Sequence, residues 1–123
     1  MLEYERLPVE SVSLIPELRV PFEAERRWWS GEPPPPHVFF GDVFSTFLVG
    51  ELQRGNRPEL LKRLFGFVED MANHPDARVQ ELVQQSVLAN LCNEHLASMG
   101  LKRFLGPRSD ELMQEYCGVW HKH

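Results

Sequence analysis

An all-α fold is what this sequence predicts: a single domain, 1–123, arranged as a bundle of about five helices with short antiparallel connections and a packing akin to HEAT-like helix stacks. Three observations predict it. Residues 75–99 carry the longest unbroken helical pattern. One apolar row runs Val79, Leu82, Val83, Val87, Leu91, and a second runs Leu88, Cys92, Leu96, Met99. Apolar residues at i, i+3, i+4 and i+7 mark a helix face turned to a core, and two adjoining rows mark a helix gripped on two sides. The stretches 42–54, 57–73 and 75–99 then follow one another through loops of two to four residues, which forces antiparallel neighbours. Finally, no alternation of period two persists with a partner strand.

The elements follow in chain order. Residues 1–14, interrupted by Pro8, read as an extended arm. A helix is expected over 15–29, opened by Pro16 and kinked by Pro21, with Leu18, Phe22 and Trp29 facing the core. Pro33 to Pro36 read as a polyproline connector, so 1–36 form an N-terminal arm and kinked helix, and 37–123 the helical core. Asp42 is the expected cap of the next helix, with Val43, Phe44, Phe47, Leu48 and Leu52 inward and Gly55 as its stop. Asn56 and Glu59 suggest a capping box before Leu60, Leu61, Leu64, Phe65, Val68 and Met71. After Gly100 and a connection over 102–108, Ser109 is the expected cap of a last helix, with Leu112, Met113 and Tyr116 inward, Gly118 as its end and Trp120 packed over it. The tail 121–123 reads as frayed. No internal repeat is found, since the three central stretches differ in length and phase.

Composition narrows the function. At 42% hydrophobic and 25% charged the chain is globular in character, and no apolar run reaches the ~18 residues of a membrane span. The start MLEYERLPVE has no secretory pattern, and two cysteines make no disulfide framework, so a reducing cytoplasm is the expected compartment. Net charge is −5, with seven acids against four bases in residues 1–36. That balance argues against nucleic acid and anionic membrane, which require Lys and Arg, and suits a basic protein partner.

Motifs for chemistry are sparse. Cys92-x-x-His95 and Cys117-x-x-x-His121 have the residue types and near-helical spacing of zinc ligands. Against a metal, Cys92 lies in an apolar row, where cysteine packs as a small hydrophobe, and Gly118 interrupts the second pair. No metal or cofactor is therefore expected. Glu69-Asp70 and Asp110-Glu111 are consecutive carboxylates that diverge by ~100° on a helix and read as solvated. There is no GxGxxG, P-loop or HExxH, and no catalytic residue is assigned. Arg26-Arg27-Trp28-Trp29 joins bases to aromatics. One ring is expected buried and one exposed; two exposed rings make a protein-contact hot spot.

The runs Ile15-Pro16-Glu17-Leu18, Pro36-His37-Val38-Phe39-Phe40-Gly41-Asp42, Phe65-Gly66-Phe67-Val68-Glu69, 83–91 and Leu105-Gly106-Pro107 resemble a small, uncharacterised all-helical bacterial family over roughly residues 14–120. Some of its members resemble immunity proteins encoded beside polymorphic or contact-dependent toxins. The family usually carries Leu-Glu in mid central helix, where this chain has Val87-Leu88-Ala89-Asn90. The resemblance implies a non-enzymatic module that caps a toxin domain. The expected contact residues are Glu17, Glu23, Glu25, Arg26, Trp28 and Glu32, the acids standing in for phosphates before a basic toxin. The alternative is a self-associating helical scaffold in which the tryptophan arm exchanges between copies. The oligomeric state is left open.

Overall fold

Proline placement decides where most of these helices begin. The computed structural model describes residues 3–117, and among the described residues there are seven helices and no strand. They are α1 (Leu7–Leu14), α2 (Arg19–Arg26), α3 (36–54), α4 (Pro58–Ala72), α5 (77–91), α6 (Glu94–Ser98) and α7 (Pro107–Tyr116). Short 3₁₀ turns at Tyr4–Arg6, Pro16–Leu18, Arg27–Trp29 and Leu101–Phe104 join them. The fold class is as the sequence predicts, with more and shorter helices than five.

The N-terminal arm is helical rather than extended. Pro8 falls in the first turn of α1, where no N–H is required, and Leu7, Ser11 and Val12 are buried along one side. The expected helix over 15–29 forms from residue 16 on, as the turn Pro16–Leu18, α2 and the turn Arg27–Trp29 in unbroken succession, and Ile15 separates it from α1. Ile15 stands at φ −128°, ψ 83°, because the proline ring excludes the α conformation from the preceding residue. Pro21 does not kink α2, since it too lies in a first turn. Leu18 and Phe22 are buried as expected, whereas Trp29 is 38% exposed.

α3 begins six residues before its expected cap. Pro36 occupies the first turn and Pro35 accepts from the N–H of Val38 and Phe39, so the proline run ends as a helix start. Asp42 lies inside α3, within a π turn at Phe39–Phe44. That wider turn brings Phe39, Phe40, Val43 and Phe44 all inward. Gly55, at φ 66°, ends α3 as expected. α4 starts at Pro58 with Arg57 as its cap residue and no side-chain cap bond; the proline displaces the start past Asn56, and the Asn56–Glu59 box does not form.

Asp76 caps α5, accepting from the Arg78 N–H at 2.9 Å. Val79, Leu82, Val83, Val87, Leu88 and Leu91 are all buried, against α4, the π turn of α3 and α7. The expected unbroken helix stops at Cys92 (φ −75°, ψ 77°), and Asn93 starts α6 by accepting from the Leu96 N–H at 3.2 Å. Its carboxamide offers the backbone a local alternative to continuing the helix. Gly100, at φ 81°, ends that turn.

The two cysteines, expected to pack separately, form a disulfide. Cys92 and Cys117 are bonded with their Cα atoms 5.7 Å apart, which pins the C-terminus of α7 to the break between α5 and α6. α7 is capped from outside its own sequence. Ser109 is not its cap residue; Gly106 is. The free N–H groups of Arg108 and Ser109, each at 2.9 Å, and the Ser109 hydroxyl at 2.8 Å donate to the Glu69 carboxylate of α4. Glu69 is thus not a solvated helix end. A Cβ on residue 106 would lie 2.4 Å from the Glu69 carboxyl carbon, so glycine is required for the approach. Leu112 and Met113 are buried as expected; the Tyr116 side chain, Gly118, Trp120 and the tail lie outside the described residues.

Candidate functional site

The outer face of α2 and the turn behind it present the largest exposed apolar side chains of the described chain. Val20, Ala24 and Trp28 stand at i, i+4 and i+8, one row along a helix. Val20 is 80% and Trp28 84% exposed. The opposite side of α2 is buried: Phe22 meets Phe39 edge-on with centroids 5.7 Å apart, which fixes α2 against the π turn of α3. Between the two helices runs a groove of about 330 Å³, lined by Pro21, Ala24, Glu25 and Trp28 on one wall and Asp42, Val43, Thr46 and Phe47 on the other.

The turn that carries Trp28 is held by Arg26. Its Nε and Nη2 donate to the Gly31 carbonyl at 2.9 and 2.7 Å, and its Nη1 donates to Glu23 at 3.0 Å. Ser30 adopts φ 54° and Gly31 φ 83°, two successive left-handed residues that reverse the chain. Serine has no intrinsic ease in that region, and the Arg26 clamp, with the Gly31 N–H bonded to Arg26 O at 3.1 Å, holds it there. Trp29 donates from Nε1 to Glu25 at 3.2 Å. Trp29 is therefore tethered along the surface while Trp28 projects from it. Both rings are exposed, so the expectation of one buried ring is corrected.

Of the six expected contact residues, Glu23, Glu25, Arg26 and Trp28 come together on α2 and its turn, and exposed Glu32 follows on the same turn, its N–H bonded to Trp29 O. Glu17 lies apart. Its carboxylate is engaged by both terminal nitrogens of Arg63 on α4, and those bonds hold its pKa below the usual carboxylate value. Glu17 ties the α1–α2 connection to α4 and is a structural residue. The site also includes Val20, Pro21, Ala24, Asp42, Val43, Thr46 and Phe47, which the sequence reading did not assign to it. The Val20–Ala24–Trp28 spacing was the available signal; it is masked by Leu18 and Phe22, whose stronger core pattern runs along the other side.

The candidate ligands Cys92, His95, Cys117 and His121, from which no metal site was expected, do not form a zinc set. The Cys92 and Cys117 sulfurs are bonded to each other and offer no thiolate, His95 is exposed, and His121 lies outside the described residues. Among the described residues no group of three or more His, Cys, Asp or Glu is placed to hold a metal ion, and no helix is long and apolar enough to cross a membrane. What the α2 face offers is an exposed aromatic anchor, an apolar trough and carboxylates at its margin. These are the elements of a protein contact.

Comparison with curated proteins and comparison with solved structures each give no match. A family profile matches residues 10–121, nearly the whole chain, and the protein belongs to that family, described as a domain of unknown function, DUF7674.

Proposed function

We propose that this protein is a non-enzymatic protein-binding module whose contact surface is the α2 face and groove around Trp28, and that it serves as an immunity protein for a cognate toxin domain. The observation that carries the reading is Trp28, an 84% exposed tryptophan on a turn clamped by Arg26. A large ring with only two side-chain torsions, carried on a fixed turn, loses little entropy on contact, and tryptophan and arginine dominate interface hot spots. Glu25 and Asp42 line the groove beside it and exposed Glu32 follows on the same turn, an acidic margin that steers a basic partner. This version acts in the cytoplasm. The Cys92–Cys117 bond speaks against that compartment, where thiols are kept reduced, and alkylation of thiols in freshly lysed cells decides the point.

The test is co-expression with the product of the neighbouring gene, followed by purification of a complex. A tight complex that restores growth supports the proposal. Trp28→Ala should weaken it by at least ~2 kcal/mol, and Glu25→Lys with Asp42→Lys should slow association most at low salt. A complex indifferent to all three substitutions moves the contact elsewhere, and absence of any complex removes the toxin reading.

A further inference from the structure

A second groove, between α4 and the 3₁₀ turn Leu101–Phe104, differs from the first in charge. It has a volume of about 500 Å³, within the range of ligand-binding clefts, and is lined by Lys62, Phe65, Gly66, Glu69, Arg103, Phe104 and Gly106. Its wall is a three-layer stack. The Phe65 and Phe104 rings lie nearly parallel with centroids 5.5 Å apart, and the Arg103 guanidinium sits 4.8 Å from the Phe104 centroid. Stacking uses the flat face of a guanidinium and leaves its in-plane N–H fork open. Among the described residues no carboxylate pairs with Arg103, and Lys62 across the groove forms a long ion pair with Glu59, at 3.4 Å.

The one acid in the lining is already engaged. Glu69 accepts from Arg108, Ser109 and Asn73, at the N-terminus of α7, whose dipole offsets its charge. The groove therefore presents positive charge on a protein that is negative as a whole. Gly66 supplies an independent observation. It lies in mid α4, is exposed, and has open space where a Cβ would stand. Glycine weakens a helix interior, and neither a positive φ nor a close neighbour requires it here. Its effect is to keep the floor of the groove empty.

We propose that this groove binds a small aryl carboxylate, its carboxylate bridged by the Arg103 fork and Lys62 and its ring laid over Gly66 at the edge of Phe104, whose two faces Phe65 and Arg103 cover. The proposal is independent of the Trp28 surface. The test is calorimetric titration of the full chain with 2-naphthoate, and with 2-naphthylmethanol as the neutral analogue. Saturable binding of naphthoate is expected, with the alcohol at least ~10-fold weaker, because bidentate charge-assisted bonds supply the difference. Arg103→Gln and Gly66→Leu should each weaken naphthoate ~10-fold without lowering the melting temperature, and Trp28→Ala should leave it unchanged. No saturation, equal binding of acid and alcohol, or wild-type affinity in both groove variants overturns the proposal.

Discussion

Reducing the Cys92–Cys117 bond isolates one term in the stability of this fold. The bond closes a loop of 25 residues that contains α6, the turn Leu101–Phe104 and the whole of α7. In the chain-entropy account a loop of that size withdraws about 3.5 kcal/mol of freedom from the unfolded chain at 25 °C. With an unfolding entropy of ~2.1 cal/mol/K per residue, a chain of 123 residues converts this to a fall of about 13 °C in Tm. The native side changes little, because Cys117 is 1% exposed, Cys92 is partly buried against the core, and both thiols still pack as small hydrophobes. The assay is thermal melting by circular dichroism with and without a phosphine reductant, alongside a Cys92→Ser/Cys117→Ala double variant that should match the reduced protein. Mass-spectrometric thiol counting confirms each redox state. A shift under ~3 °C on complete reduction refutes the loop argument. Two free thiols in protein prepared without reductant refute the bond itself.

Four further substitutions test named contacts and one open space. Glu69→Gln should destabilise by about 2 kcal/mol, since charge-assisted bonds to two helix N–H groups and a hydroxyl are weakened, and Gly106→Ala should cost about 1–3 kcal/mol by driving a methyl into the same carboxyl; both are read by urea denaturation. Burial opposes ionisation of Glu69, but the Ser109 and Arg108 donors outweigh it and lower its pKa. Its contribution is therefore complete above the unfolded value near ~4.3 and is lost as pH falls through the folded value, so wild type and Glu69→Gln should converge in acid. Glu51, fully buried between Arg54 at 2.7 Å and Arg57, should cost about 2–3 kcal/mol as Glu51→Ala, less than the roughly 3–5 kcal/mol of a fully buried pair, because both arginines are half exposed and regain water. Gly66→Ala should raise stability by about 0.5–1 kcal/mol, and a loss instead would show that space at Gly66 is needed by the fold.

The helical class and the inward rows were legible because burial in helices imposes a period on the sequence. Leu60, Leu61, Leu64, Phe65, Val68 and Met71 are all buried where the spacing puts them. Helix starts were misplaced wherever a proline and a polar cap competed: Pro36 overrode Asp42, Pro58 overrode Asn56, and Pro8 admitted a helix where its presence suggested none. The Glu69 cap was not legible, because its donors lie about 40 residues away and nothing local to α4 marks the acid as different from Asp70. The Trp28 groove was half legible. The aromatic and acidic residues stood out, but its far wall belongs to α3 and depends on how two helices meet.

That meeting is set by a pair of π turns. Phe39–Phe44 in α3 packs against the second π turn, Val83–Leu88 in α5. A π turn displaces one backbone carbonyl from its usual partner, and each turn here has a side chain to answer it. Ser45 places its hydroxyl 2.6 Å from Phe40 O and 2.8 Å from Ser86 O, and Asn90 donates to Ser86 O at 2.8 Å. A hydroxyl has one proton to donate, so the serine links the two turns while Asn90 secures the carbonyl they share. In the π turn of α3 Phe39 faces α2 and Phe40 faces Phe44 and Phe67. Phe39 in that turn gives Phe22 its ring contact, which seats α2 and places α3 as the second wall of the groove beside Trp28. The local irregularity at the centre of the bundle thus determines the shape of the surface proposed to meet a partner.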